Sequence, residues 1–131
     1  MISTKPPFFA PQLYIKNGVT DISFYEKAFG AIEVRRFSND DGTIHVSELS
    51  INGTLFHLHE ETSRVNLFSP QRLKGTTVLI GLFVEDVDAV MNKAIEAGAE
   101  VISPAQSYDY GYRQGQIKDP FGHMWMIEMT I

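Results

Sequence analysis

The sequence predicts an α+β fold made of two copies of one small β-α-β-β-β unit. Three observations predict it. Leu13-Tyr14-Ile15-Lys16-Asn17 answers to Leu82-Phe83-Val84-Glu85-Asp86 at an offset of 69 residues. Gly53, before the fourth strand, answers to Gly122, before the eighth, at the same offset. Gly30 and Gly98 each close a helix, at an offset of 68. The matches fall in the same order of elements, as a duplicated unit requires.

Each element has its own signal. Residues 9–16 alternate and are rich in β-formers, so they read as a strand. Residues 17–29 carry Val19, Ile22, Tyr25 and Phe29 at helical spacing, and Gly30 fits the position after a helix where φ is positive. Residues 31–38 and 43–51 are strands around the turn Asn39-Asp40-Asp41-Gly42. Asn52-Gly53 is a strong two-residue hairpin signal, leading into a strand over 54–60. Residues 61–75 show no period and read as a linker.

The order then repeats. Residues 77–84 are a strand. Asp86 caps a helix that sets Val87, Val90, Met91, Ala94 and Ile95 on one face. Residues 99–103 form a strand that Pro104 closes, and 105–110 are irregular. A strand over 112–118, the turn Asp119-Pro120-Phe121-Gly122 and a last strand over 123–130 complete the unit. The expected organisation is one domain, with module one over 9–60 and module two over 76–130.

Bulk properties exclude several classes. A chain of 131 residues is long enough to bury a core without a metal or disulfide. It has no cysteine, which removes thiolate metal sites and a cysteine nucleophile. The net charge is −5 and the basic residues are scattered, which argues against nucleic acid as a partner. Met1-Ile2-Ser3-Thr4-Lys5-Pro6-Pro7 has no signal-peptide core, and no apolar run approaches membrane-spanning length. The expected setting is the cytoplasm, with no membrane partner.

The repeat also predicts a binding cleft. One helix covers one face of each small sheet and leaves the other bare. Two units turning their bare faces together would make an incomplete barrel, lined by one residue parity of every strand. In the first strand Leu13 and Ile15 go to the helix, while Ala10, Gln12, Tyr14 and Lys16 face inward. Phe56 and Leu58 go to the helix in the fourth, so Leu55, His57 and His59 face inward. The offset then turns Leu79, Gly81 and Phe83 inward from the fifth strand, and Met124, Met126 and Glu128 from the eighth.

Three stretches carry a resemblance to a known family. They are Asp21-Ile22-Ser23-Phe24-Tyr25-Glu26-Lys27-Ala28-Phe29-Gly30, Glu85-Asp86-Val87-Asp88-Ala89, and Asp119-Pro120-Phe121-Gly122-His123-Met124-Trp125. Over about residues 9–130 the chain resembles the vicinal oxygen chelate superfamily, which includes glyoxalase I, bleomycin-resistance proteins and extradiol dioxygenases. The turn is most similar to the phosphonate-operon glyoxalase-like branch. The resemblance implies a homodimer. It also implies that a family metal would be held at Ala10, His57, Leu79 and Met126. Ala and Leu offer no donor and a thioether suits hard cations poorly, so the usual site is expected to be absent. A divalent metal would need a shifted set: His57, His59 and Glu128.

The remaining candidates are ligand contacts. Pockets for small molecules are mostly apolar and aromatic with a few polar groups. Gln12, Tyr14, His57, His59, Phe83, Tyr112, Arg113, Met124 and Met126 are expected to supply them, with the loop Tyr108-Asp109-Tyr110-Gly111-Tyr112-Arg113 closing over the cleft. Glu128 is the candidate general base. His123 is expected to brace the turn, and His45 has no constellation around it. The expected function is binding of a small organic molecule without the usual metal. The alternatives are a metal-dependent lyase, isomerase or dioxygenase using the shifted set, and a non-catalytic interaction or stress-response module.

Overall fold

A computed structural model describes residues 5–131; the first four residues of the expected signal-free start lie outside them. The elements are β1 (Gln12–Ile15), α1 (Phe24–Phe29), β2 (Ile32–Ser38), β3 (Ile44–Ile51), β4 (Thr54–Glu60), α2 (Pro70–Leu73), β5 (Leu79–Phe83), α3 (Val87–Glu96), β6 (Glu100–Tyr108), β7 (Tyr112–Lys118) and β8 (Met124–Thr130). Both modules adopt the β-α-β-β-β order. No described helix is long and apolar enough to cross a membrane.

Two four-stranded sheets result, ordered β1-β4-β3-β2 and β5-β8-β7-β6. In each, the first strand runs parallel to the fourth and the remaining pairs are antiparallel. The registers coincide under the repeat. Gln12 pairs with His57 as Gly81 pairs with Met126, and Tyr14 pairs with His59 as Phe83 pairs with Glu128. The sheets stay open and are not joined into a barrel. Helices α1 and α3 pack against each other, so the helix faces of the modules meet in the core. Contrary to the expectation from the repeat, the bare faces do not turn toward each other: Leu79 and Phe83 on the bare face of module two are exposed.

The core follows the predicted parity. Leu13, Ile15, Phe56 and Leu58 of module one are buried, as are Trp125 and Ile127 of module two. Tyr25, fully buried, packs its ring against Phe56, Phe121 and Trp125. These aromatic contacts cross from one module to the other. So do two hydrogen bonds: Tyr25 Oη donates to Asp119 Oδ2 at 2.5 Å and His123 Nε2 to the Tyr14 carbonyl at 2.8 Å, while Gln71 Nε2 of α2, in the connecting stretch, donates to the Pro120 carbonyl at 3.1 Å. Asp119 further accepts from Trp125 Nε1 and from the backbone N–H groups of Phe121 and His123. The turn before β8 is thus a bolt between the modules.

Several expectations need correction. The first helix starts only at Phe24. Gly18 is left-handed at φ 91°, in a turn with Asn17, and residues 19–22 are irregular; Asp21 Oδ1 accepts from the Ser23 N–H just before the helix. Ile95 is not on the buried face of α3, being 45% exposed. β6 does not stop at Pro104 but runs on to Tyr108 with register shifts. A proline is tolerated because β6 is an edge strand, where one side needs no donor. The expected lid is instead the tight end of the β6–β7 hairpin. Tyr108 pairs with Tyr112 there, and the Gly111 N–H donates to the Tyr108 carbonyl. The stretch 61–75 is tied down as well, by Glu61 accepting from the Ser69 N–H and from Arg72.

Candidate functional site

The bare faces of the two sheets hold the candidate residues in two groups. On module one, β1 and β4 set Gln12, Tyr14, His57 and His59 side by side. Gln12 Oε1 accepts from His57 Nδ1 at 3.0 Å and from His59 Nε2 at 2.5 Å. A carbonyl oxygen only accepts, so both rings carry a proton on the nitrogen facing Gln12. His57 Nε2 and His59 Nδ1 are left with the lone pairs when the rings are neutral. The His59 ring stacks on Tyr14, with centroids 5.3 Å apart. Burial lowers the His59 pKa, and the neighbouring His57 and His45 lower it further. Across β3, Glu48 is the register partner of His57 and is paired with Arg35.

On module two, Glu128 lies in the corresponding place. Gln114 Nε2 donates to its Oε1 at 2.8 Å, and the Tyr110 hydroxyl donates to Gln114 Oε1. Its Oε2 sits over Gly81, so close that a Cβ on that residue would come within 2.6 Å. Gly81 therefore makes the room in which the carboxylate rests. Phe83, the register partner of Glu128, meets the Tyr112 ring at 6.2 Å. Met124 and Met126 are half-buried on the same face.

Beside these faces, along the seam of the modules, runs a groove of about 540 Å³. Leu55, Phe56, Leu79, Gly81, Phe83 and Trp125 are among its walls. Four of these six were expected to face inward; Phe56 and Trp125 reach it from the helix side.

The expected site is brought together only in part. Gln12, Tyr14, His57 and His59 form one constellation. Glu128, Phe83 and Tyr112 form another, on the other sheet. Arg113 belongs to neither. β7 turns it to the helix face, where its guanidinium holds Asp88 of α3 through two contacts of 2.8 Å. The two-residue alternation that makes Tyr112 a face residue excludes Arg113 from the same face. His123 braces the turn through its backbone and reaches across to β1 with its ring. His45 has a partner after all, with Nδ1 2.9 Å from Glu60 Oε1 at the surface.

Gln114 went unnoticed in the sequence, although the alternation Tyr112, Gln114, Gln116 along β7 would have found it. The shifted metal set does not converge within one chain: His57 and His59 point at Gln12, Glu128 is bonded by Gln114, and no group of three or more His, Cys, Asp or Glu among the described residues is placed to hold a metal.

Comparison with known proteins gives the family. The family model for the Glyoxalase/Bleomycin resistance protein/Dioxygenase superfamily matches residues 13–127. An uncharacterized protein of Mycobacterium bovis is 36% identical over 128 residues, covering 95% of this chain and 84% of its own. An uncharacterized protein of Arabidopsis thaliana is 30% identical over 114 residues, covering 81% and 68%. Among solved structures, an Arabidopsis thaliana gene product superposes with a TM-score of 0.72 at 27% identity, covering 95% of this chain and all of its own. The fosfomycin resistance protein FosX of Listeria monocytogenes, solved with Mn(II) and sulfate, gives a TM-score of 0.70 at 19% identity, covering 100% and 93%. With the family model matching residues 13–127 and a relative 36% identical over 95% of this chain, the chain belongs to the glyoxalase/bleomycin resistance protein/dioxygenase superfamily.

Proposed function

We propose that the protein binds a small organic molecule along the seam between its modules, without the metal site usual in its family. The observation that carries this reading is the groove. Its volume of about 540 Å³ falls within the range of pockets for small ligands, and its walls are mostly aliphatic and aromatic, with Asn52 and Thr54 among them. Polar groups stand on the two sheet faces beside it: the amide and imidazoles of Gln12, His57 and His59, and the carboxylate of Glu128. Such a layout seats an apolar body and orients it by a few hydrogen bonds.

The residues present do not fit the metal that the FosX structure holds. Of the four positions the family resemblance assigns to metal, Ala10 and Leu79 carry no donor and Met126 offers a thioether. His57 alone is a borderline ligand, and a catalytic centre needs about three. No reaction step is therefore derived through a metal. A second copy of the chain would complete the site, its module one closing over the bare face of module two. The exposure of Phe9, Leu79 and Phe83 beside the groove supports such a cover.

A melting-temperature screen against a panel of small organic molecules and against Mn²⁺, Ni²⁺, Zn²⁺ and Fe²⁺ tests the reading. A compound that raises the melting temperature, with no stoichiometric metal bound, is the expected result. Metal that co-purifies with the wild type and is lost from a His57→Ala variant would overturn the metal-free reading. No shift with any compound would leave an interaction module as the better account. Sedimentation equilibrium gives the mass, and a dimer is expected.

A further inference from the structure

The bare face of module two concentrates one negative charge among exposed aromatic rings. Phe83 and Glu128 are register partners on adjacent parallel strands, so their side chains leave the sheet together. Phe83 is 61% exposed and Tyr110 is 64% exposed. From Phe83 the rings continue to Tyr112 at 6.2 Å, from there to Tyr110 at 5.9 Å, and on to Tyr108, stacked at 5.2 Å. Tyr110 and Glu128 share Gln114, which accepts from the phenol and donates to the carboxylate.

Among the described residues no cation is hydrogen-bonded to or ion-paired with that carboxylate. Gln114 is the donor that the described residues give it, and an amide carries no charge. Arg113 is turned to the other face and held by Asp88. Lys118 shares the face of Gln114, but four residues along the strand place it about 13 Å away. Its Nζ is also 3.5 Å from Glu100 Oε2. The ring faces add negative potential of their own, because an aromatic quadrupole is negative above and below the plane. An anion is repelled here. A divalent cation finds no group of three or more His, Cys, Asp or Glu here among the described residues. A bulky, weakly hydrated organic cation gains from both the charge and the rings.

The geometry joins this place to the groove. Gly81 and Phe83 line the groove, and Glu128 Oε2 lies over Gly81. A ligand can lay an apolar body against Leu55, Leu79 and Trp125 while its charged end reaches Glu128.

We propose that Glu128, with Phe83, Tyr110 and Tyr112, is the recognition site for an organic ammonium group, an alkylated or protonated amine on an apolar body. The proposal rests on the small-molecule reading above and names the ligand class for that site. Glu128 acts in it as the counter-ion, Gln114 as the positioning residue that holds the carboxylate against Tyr110.

The probes are choline and its uncharged carbon isostere 3,3-dimethylbutan-1-ol, with binding followed by NMR titration of the full chain. Choline is expected to bind at least tenfold more tightly than the alcohol. Glu128→Gln should lower choline affinity at least tenfold and leave the alcohol unchanged. Gly81→Ala is the second variant. Its methyl displaces only the end of a flexible side chain, so the fold stays intact by melting temperature while choline affinity falls. Equal binding of the two probes, or undiminished choline binding by Glu128→Gln, overturns the proposal. If choline fails while a neutral or anionic compound of the panel binds, the cation assignment fails and the small-molecule reading stands. If no organic compound of any charge binds, both fail.

Discussion

Removing the Tyr25 hydroxyl should cost stability in a way that depends on pH. The phenol is fully buried and donates to Asp119 Oδ2 at 2.5 Å. Phe in its place fills the same volume among Phe56, Phe121 and Trp125. Asp119 keeps three donors, from Trp125 Nε1 and two backbone N–H groups. The loss is then one hydrogen bond to a charged group, about 1.5–3 kcal/mol at neutral pH. Burial raises the Tyr25 pKa well above its ordinary value, and the charge of Asp119 and the hydrogen bond to it raise it further. A raised pKa means that the folded protein keeps the proton where the unfolded chain loses it. The stability gained is fully present below the unfolded value of about 10 and drains away as pH rises above it, by about 1.4 kcal/mol per unit. Tyr25→Phe has no such proton. Urea denaturation of both proteins at pH 8 and pH 11 measures the effect. The wild type should lead clearly at pH 8, and its lead should shrink by about 1.4 kcal/mol at pH 11. A lead of equal size at both pH values would refute the claim that burial and Asp119 together hold this phenol neutral.

Other consequences follow from the same geometry. The His59 pKa is lowered by burial and then by His57 and His45, so by proton NMR His59 should titrate below its ordinary value. Stability that depends on His59 is present above about pH 6.5 and is lost as pH falls, because the unfolded chain takes the proton first. His57→Ala removes one of those charges and should move the His59 midpoint up. Arg113→Ala should change stability by about 1 kcal/mol or less, since its pair with Asp88 is partly exposed to solvent, and should leave ligand affinity in the NMR titration untouched. Gly122→Ala should cost about 1–3 kcal/mol in urea denaturation: φ there is 93°, and the new methyl would stand 3.0 Å from Pro70 Cβ.

The fold was legible because its signals are local and duplicated. Alternation assigns Leu13, Ile15, Phe56 and Leu58 to the core without any knowledge of the partner strand, and the offset carries the assignment to module two. Gly30 and the Asn52-Gly53 pair name their own backbone angles, and the structure has both at positive φ. What escaped depends on contacts between distant residues. Nothing near Pro104 says that its strand lies at an edge, so a proline that an edge tolerates reads as a stop. The Asp119 turn is visible as a motif, yet its partner Tyr25 lies 94 residues away on another module. Arg113 shows a different failure: it was placed with its aromatic neighbours as one loop, when strand parity already set it apart from Tyr112.

The repeat bears on function chiefly where its two halves differ. A duplicated unit starts with the same chemistry on both bare faces, and the core positions have stayed alike: Ile15 and Val84, Leu58 and Ile127. The face positions have not. Gln12 stands against Gly81, Tyr14 against Phe83, His57 against Met126 and His59 against Glu128. Module one presents an amide bound to two imidazoles, while module two presents a carboxylate with thioethers and rings. Core positions are constrained by packing, which both modules share. Face positions are released from that constraint, so their divergence reflects what each face touches. A ligand with a twofold axis would meet the same groups at both ends. On the proposed reading, the ligand that suits these faces has two unlike ends, with its positive charge at the end that meets Glu128.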